Sequence, residues 1–198
     1  MKAEDIETQN YWTQRYKNKN TGWDIGYPST PLKTYFNQIG NRELKILIPG
    51  AGNAYEAEYL YDLGFKNIFI LDISKIPLEA FKKRNPTFPE NQLIQDNFFT
   101  HDATYDLIIE QTFFCSFPPI HKTRKNYAKQ MSNLLNTNGK LVGLWFNIPL
   151  SNNLEKRPFG GDKTLYLSYL EPYFKVKTFE KCYNSIPNRN ELFGVFLN

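Results

Sequence analysis

The sequence predicts an α/β fold: a doubly wound, Rossmann-like sheet of seven mostly parallel strands, with an antiparallel hairpin at its C-terminal end. Three observations predict this fold. From residue 44 onward, short apolar runs alternate with helix-like stretches, as in parallel sheets covered by helices on both faces. A glycine turn, Pro49-Gly50-Ala51-Gly52, ends the first apolar run. The last two strand-like segments have no helix between them, so they can pair antiparallel at one edge.

Strands buried on both faces are short and apolar, and the chain offers seven segments that can fill the sheet. The parallel strands are expected at 44–48, 67–72, 92–95, 106–111 and 140–146, and the terminal pair at 174–183 and 192–197. Sheets of this kind bind ligands at the carboxyl ends of their parallel strands. The glycine turn and several polar residues fall at those ends.

Helices are expected between these strands, at 55–63, 74–84, 123–135 and 164–170. Gly64 ends the first, while Ser74 caps the second and Pro77 stands in its first turn. The third is amphipathic, because four apolar residues share one face by helical spacing: Tyr127, Met131, Leu134 and Leu135. Asn138-Gly139 is expected to end this helix.

Length and composition predict one globular domain, 1–198, with 41% hydrophobic and 22% charged residues. The net charge is +4 and the positive residues are scattered, so no nucleic-acid surface is indicated. Cys115 and Cys182 match neither a metal spacing nor a disulfide framework, and no metal is expected. The N-terminus is acidic and polar, and no apolar stretch is long enough to span a membrane, so we expect a cytoplasmic protein.

The glycine turn and the acid that ends the next strand form a candidate binding site. Gly50 and Gly52 let the backbone adopt positive φ and let a ligand approach the main chain. Asp72 follows Gly52 by 20 residues, a usual spacing for a carboxylate that accepts hydrogen bonds from ribose hydroxyls. The pair therefore predicts an adenosine-type ligand.

The end of the third strand adds residues suited to the base of such a ligand. Asp96 or Asn97 can bond the adenine edge, and Phe98 can stack on the ring. A dinucleotide fingerprint needs a small residue where Tyr55 stands, whereas S-adenosylmethionine needs none. The sulfonium of S-adenosylmethionine also suits acids and aromatic faces. We therefore favour this cofactor, with a nicotinamide enzyme or a non-catalytic adenosine binder as the alternative.

Several longer segments resemble one family. They read NYWTQRYKNKNTGWDIGYPSTPL, LIPGAG, LDIS, DNFF, YDLIIEQTFFCSFPP, TRKNYAKQMSNLL and NSIPNR. Together they resemble the thiopurine methyltransferase superfamily of S-adenosylmethionine-dependent enzymes, and within it the branch that methylates thiols, thiocyanate and halides. The resemblance covers the chain from about Trp12 to Arg189. It implies the class I methyltransferase fold and methyl transfer to a small soft nucleophile.

The resemblance also implies residue roles. Residues 1–40 would form a lid whose aromatic side chains fold over the cofactor, and the adenine partner is left open between Asp96 and Asn97. The cofactor-binding residues that we predict are Trp12, Tyr16, Trp23, Gly50, Gly52, Asp72, Asp96, Asn97, Phe98 and Gln111.

On the acceptor side, Arg124 matches an arginine that relatives place near the substrate. His121, in the loop before it, is a residue type that commonly serves as a general base and could deprotonate a thiol, and we predict both as catalytic residues. Phe146 stands where halide-type relatives present a tyrosine, so acceptance of halides is left open. Cys115 is interpreted as a packing residue, because no base is placed for it.

A methyltransferase acting on a macromolecule is the main alternative. Amino-methylating DNA enzymes carry an acid or Asn followed by Pro-Pro-aromatic after the fourth strand, where this chain has Glu110-Gln111-Thr112. No basic stripe or recognition domain compensates. We therefore expect a small-molecule substrate and a monomer.

Overall fold

The computed structural model describes residues 8–151, 153 and 157–198. Its strands are Ile46–Pro49 (β1), Ile68–Asp72 (β2), Leu93–Gln95 (β3), Tyr105–Gln111 (β4), Leu135–Phe146 (β5), Lys175–Lys181 (β6) and Glu191–Leu197 (β7). They form one seven-stranded sheet in the order β3-β2-β1-β4-β5-β7-β6. The predicted doubly wound α/β sheet is confirmed.

Helices cover both faces of this sheet. In the described residues they are Gln9–Lys17 (α1), Thr30–Phe36 (α2), Tyr55–Asp62 (α3), Lys75–Arg84 (α4), His121–Asn133 (α5) and Lys163–Leu170 (α6). One apolar core joins α2, α3 and α4 to the sheet through residues such as Leu32, Leu60 and Phe81. The other joins α5 and α6 to the opposite face, with Tyr127 and Leu170 fully buried.

The N-terminal helix α1 lies outside both cores and buries none of its residues fully. It packs against α4, where the hydroxyls of Thr13 and Ser74 lie 3.0 Å apart. Ser74 is the N-cap residue of α4, but its hydroxyl makes this long-range contact instead of a side-chain cap. The lid prediction concerned residues 1–40, of which residues 1–7 lie outside the described residues.

The C-terminal strands pair as predicted and add one feature that the sequence did not specify. β6 and β7 form an antiparallel pair at one edge of the sheet. β7 is also antiparallel to β5 and therefore lies between β5 and β6. The parallel part ends at β5, so the ligand-binding edge is formed by β1 to β5.

The prediction that Asn138-Gly139 ends the third long helix is wrong. α5 ends at Asn133, and the Asn-Gly pair lies within β5. Tyr105 pairs with Leu135, but Leu107 pairs with Lys140, so four residues of β5 bulge out of the ladder. Asn138 has φ 66° there. An Asn-Gly pair supplies the positive φ that a bulge needs as readily as it ends a helix.

Among the described residues, no helix has the length and apolar character needed to cross a membrane.

Candidate active site

A cavity of about 460 Å³ opens at the carboxyl ends of β1, β2, β3 and β4. β1 and β4 are neighbours here because the strand order reverses between them, which is where such sheets bind ligands. Most predicted cofactor-binding residues line this cavity: Trp12, Tyr16, Trp23, Gly50, Asp72, Asp96, Asn97, Phe98 and Gln111. Gly52 lines a smaller adjoining cavity instead.

The glycine turn after β1 needs glycine for two separate reasons. Gly50 has φ 58° and Gly52 has φ 55°, in the left-handed region that side chains disfavour. A Cβ at Gly50 would overlap the ring of Phe113, which lies directly against the turn. A Cβ at Gly52 would approach the hydroxyl of Tyr16 to 3.1 Å, so Tyr16 of the lid packs directly against this turn.

Asp72 at the end of β2 is a buried carboxylate held by backbone donors. Its Oδ2 accepts from the N–H of Gly52 at 3.0 Å, and its Oδ1 accepts from the N–H of Ser74 at 2.8 Å. Burial raises the pKa of Asp72 to about 6, although these hydrogen bonds oppose the shift. A carboxylate has about four acceptor positions, so two bonds leave room for hydroxyl donors from a ligand.

At the end of β3, the two residues considered for adenine are both engaged locally. Asp96 accepts from the N–H of Asn97 at 2.7 Å, and its Oδ2 lies 3.2 Å from Nδ1 of His101. The side-chain oxygen of Asn97 accepts from the N–H of Phe99 at 3.0 Å. Phe98 is only 4% exposed, so the greater part of its ring belongs to the core.

The lid aromatics form one connected group. The rings of Trp12 and Tyr16 meet the ring of Trp23 edge-on, at 5.6 and 5.8 Å between centroids. Burial first, and then the charges of Asp72 and Asp24, raise the pKa of the Tyr16 phenol well above its usual range. The carbonyl of Trp23 accepts from Nη2 of Arg189 at 3.0 Å, which ties the lid to the segment before β7.

The segment after β4 supplies an aromatic wall. Gln111 contacts the carboxylate of Glu56, to which its amide donates, so its side chain is engaged at the cavity margin. Thr112 follows with φ 57°, a strained conformation for a β-branched residue. The rings of Phe113 and Phe117 lie 4.9 Å apart, and both line the cavity.

Cys115 in the same segment is a buried packing residue. Its thiol donates to the carbonyl of Thr112 at 2.8 Å. Burial, with the charge of Glu110 as the next cause, raises the pKa of this thiol well above its usual range. A raised pKa disfavours the thiolate, which is the nucleophilic form of cysteine.

The two residues predicted as catalytic do not line the cavity. His121 is exposed at the start of α5, with its ring 5.4 Å from that of Tyr169. Arg124 is 1% exposed, and its guanidinium lies 4.9 Å from the ring centroid of Phe114. Burial lowers the pKa of Arg124, whose Nε and Nη2 have no hydrogen-bond partner in the described chain. Their catalytic roles stay predictions.

Sequence reasoning missed three arginines of the cavity wall: Arg15, Arg157 and Arg189. Arg15 stands three residues after Trp12, so helical spacing on α1 could have placed it beside the lid aromatics. Arg157 and Arg189 reach the cavity only through long-range packing, for which no local pattern exists. Among the described residues, no group of His, Cys, Asp or Glu could hold a metal ion.

The fold is that of class I S-adenosylmethionine-dependent methyltransferases of known structure. Within that class, the family model for thiopurine S-methyltransferase matches residues 7–197, and the chain belongs to this family. The resemblance noted in the sequence is therefore confirmed.

Individual relatives agree with this assignment. The chain is 32% identical over 143 residues to a probable thiol methyltransferase 2 of Arabidopsis thaliana. That match covers 69% of this chain and 62% of the plant protein, so the chain spans less than two thirds of this curated relative.

Solved structures of low identity share the fold. One is the 1,6-didemethyltoxoflavin-N1-methyltransferase of Burkholderia thailandensis, solved with bound 1,6-didemethyltoxoflavin and S-adenosylhomocysteine. Its TM-score is 0.78 at 13% identity, and the match covers 96% of this chain and 86% of that one. Magnesium protoporphyrin IX methyltransferase of Synechocystis PCC 6803, with bound S-adenosylmethionine, has a TM-score of 0.74 at 11% identity, covering 100% and 98%.

Proposed function

We propose that this protein binds S-adenosylmethionine and transfers its methyl group to a small soft nucleophile, namely a thiol, thiopurine, thiocyanate or halide. One observation carries the proposal. The same cavity is bordered by the buried carboxylate of Asp72 and by the rings of Phe113, Phe117 and Phe146. If the ribose of the cofactor binds Asp72, the space that remains for its methyl group and for the acceptor is apolar and bordered by these rings.

The residues present suit this cofactor. Asp72 is fixed by two backbone donors and keeps acceptor positions for the two ribose hydroxyls. Asp96 and Asn97 line the cavity and, besides their local hydrogen bonds, keep further donor or acceptor positions for the adenine edge. Phe98 presents part of its ring to the cavity. Trp12, Tyr16 and Trp23 offer aromatic faces suited to a sulfonium cation.

When bound, S-adenosylmethionine supplies a methyl group already activated by a sulfonium. The task of the chain is then to align the acceptor with that group and to exclude water. The lid on α1 and the wall of Phe113 and Phe117 suit both tasks. A thiolate needs little further activation, because it is intrinsically very nucleophilic.

We also propose that residues 1–198 form a single domain with the lid as its N-terminal segment. Both helical layers pack on the same sheet, and α1 packs on α4.

Incubation with cofactor labelled on its methyl group tests the activity. The acceptor panel contains thiophenol, a thiopurine, thiocyanate and iodide, and we expect labelled product from at least the thiols. Asp72→Ala, which removes the proposed ribose acceptor, serves as the matched control and should abolish most turnover. Tight S-adenosylhomocysteine binding without any methylated small molecule would reject the proposal. Label appearing on protein or nucleic acid would favour a macromolecular acceptor.

A further inference from the structure

Two arginines of the cavity wall converge on one neutral oxygen. The Nη1 atoms of Arg15 and Arg157 both donate to the phenol oxygen of Tyr11, at 3.4 and 2.7 Å. Within residues 8–151, 153 and 157–198, no ion pair joins either guanidinium to a carboxylate. Arg189 differs, because its Nη1 lies 3.6 Å from the carboxylate of Glu191.

Arg157 is held by two hydrogen bonds, while its Nη2 atom makes none among the described residues. Its Nε donates to the carbonyl of Ser116 at 3.1 Å, and its guanidinium lies 4.9 Å from the ring of Tyr11 and 5.0 Å from that of Phe159. Its Nη2 is buried and has no hydrogen-bond partner among the described residues. A fixed and partly desolvated cation with a free donor is unfavourable unless an anion completes the site.

Arg15 adds a second positive charge to the same corner. Its Nε donates to the carbonyl of Asn20 at 2.9 Å, and its guanidinium lies 5.2 Å from the ring of Trp23. Burial first, and the nearby charge of Arg15 as a further cause, lower the pKa of Arg157. The two cations are therefore close enough to repel each other, and a bound anion would relieve that repulsion.

Acidic and basic side chains lie at different parts of the cavity wall. Asp72 and Asp96 border it at the ends of β2 and β3, whereas Arg15 and Arg157 border it from α1 and the segment before α6. A carboxylate matches the planar fork of arginine and gains charge-assisted hydrogen bonds from it. A ligand with a nucleoside at one end and a carboxylate toward the other could place the nucleoside beside the two acids and the carboxylate beside the two arginines.

We propose that Arg15 and Arg157 form a carboxylate-binding site inside the active-site cavity. Its ligand is the carboxylate of a thiol-acid acceptor or the carboxylate at the amino-acid end of the cofactor, which present the same chemistry. This inference rests on the proposed methyltransferase function.

Two ratios measured on Arg157→Gln and Arg15→Gln test the site and separate the two sources. The first is kcat/KM for 3-mercaptobenzoate over thiophenol, which differ by one carboxylate. The second is the calorimetric affinity for S-adenosylhomocysteine over 5′-methylthioadenosine, which lacks the amino-acid end. We expect one ratio to fall by about ten- to a hundredfold, as for loss of a charge-assisted hydrogen bond. A fall in the first identifies the acceptor, and a fall in the second identifies the cofactor.

Controls separate the site from general effects. Lys125→Gln removes one exposed charge on α5 and should leave both ratios unchanged. Arg157→Lys keeps the charge without the fork and should give an intermediate loss, and it replaces Arg157→Gln if thermal unfolding shows that variant to be misfolded. Both ratios unchanged in a folded variant would overturn the inference. If the wild-type protein methylates no thiol, the proposed function fails, while the second ratio still tests the arginine site.

Discussion

The two sides of the cavity are built in different ways. On the strand-end side, Gly52 and Asp72 are 20 residues apart, and the backbone N–H of Gly52 donates a hydrogen bond to the side-chain carboxylate of Asp72 at the tips of neighbouring strands. On the opposite side, Tyr11 and Arg157 are 146 residues apart and meet through side chains. The first side is fixed by sheet topology and the second by long-range packing. The predicted ribose acceptor Asp72 lies on the first side, and the arginines of the proposed carboxylate site, Arg15 and Arg157, lie on the second.

The largest expected effect tests how rigidly the strand-end side is built. Gly50→Ala places a Cβ into the ring of Phe113 at a residue with φ 58°, so we expect a loss of unfolding free energy of about 3 kcal/mol. Urea unfolding measures it. Gly64→Ala is the matched control, because Gly64 also has positive φ, 94°, but open space around it. Equal losses in the two variants would show that contact with Phe113 is unimportant.

Glu110, the buried acid that holds the aromatic wall after β4, predicts a pH dependence of the unfolding free energy. Glu110 Oε1 accepts from the N–H groups of Phe113 and Phe114, and burial raises the pKa of Glu110 to about 8. The folded state therefore holds a proton that the unfolded state releases near pH 4.5. Unfolding free energy should fall by about 1.4 kcal/mol per unit as pH rises from about 5 to 8.

Glu110→Gln carries no such proton, so its unfolding free energy should lose this dependence and exceed that of the wild type at pH 8. Denaturant titrations at pH 5.5, 6.5 and 8 provide the measurement. A parallel pH dependence in the two proteins would mean that Glu110 is already ionised in the fold.

Asp72→Ala tests the ribose assignment on the strand-end side. Loss of its charge-assisted hydrogen bonds should weaken S-adenosylhomocysteine binding by about 1–3 kcal/mol in calorimetry. Glu79→Ala, which removes an exposed carboxylate paired with Lys75, should leave the affinity unchanged. Wild-type affinity in Asp72→Ala would contradict the assignment.

The same acid gives a pH dependence of ligand binding. Because the pKa of Asp72 is about 6 without ligand, its charged and fully accepting form dominates above pH 6. Affinity for S-adenosylhomocysteine should therefore be level near pH 7.5 and fall below pH 6, by up to about tenfold per unit. Calorimetry from pH 5 to pH 8 measures it, with Asp72→Ala as the variant that should lack this inflection.

The smallest expected effect concerns His121, outside both sides of the cavity. The sequence hypothesis makes it a base for the thiol, but its ring is exposed and packs beside Tyr169. From this geometry, we expect His121→Ala to change stability by no more than about 0.5 kcal/mol and to leave the pH profile of thiol methylation unaltered. If His121→Ala lost the rise of methylation rate with pH that the wild type shows, the proposed role of His121 as a base would be supported.

Sequence patterns predicted the features that depend on local geometry. Alternating elements, Gly50 with its turn and Asp72 at the next strand tip all follow from spacing along the chain, so their positions agree with the structure. Where one pattern serves two geometries, prediction was wrong. Asn138-Gly139 supplies positive φ equally to a helix end and to a strand bulge, and only the pairing of β4 with β5 decides between them.

The sequence by itself determined the doubly wound sheet, the glycine turn, the acid twenty residues later and the family. Tertiary structure alone decided that β7 inserts between β5 and β6, that Arg157 reaches Tyr11, and that Arg124 is buried beside Phe114 and does not line the cavity. The reason is physical. Periodicity and turn chemistry act over a few residues, whereas the position of an arginine in a cavity depends on the packing of segments far apart in the chain.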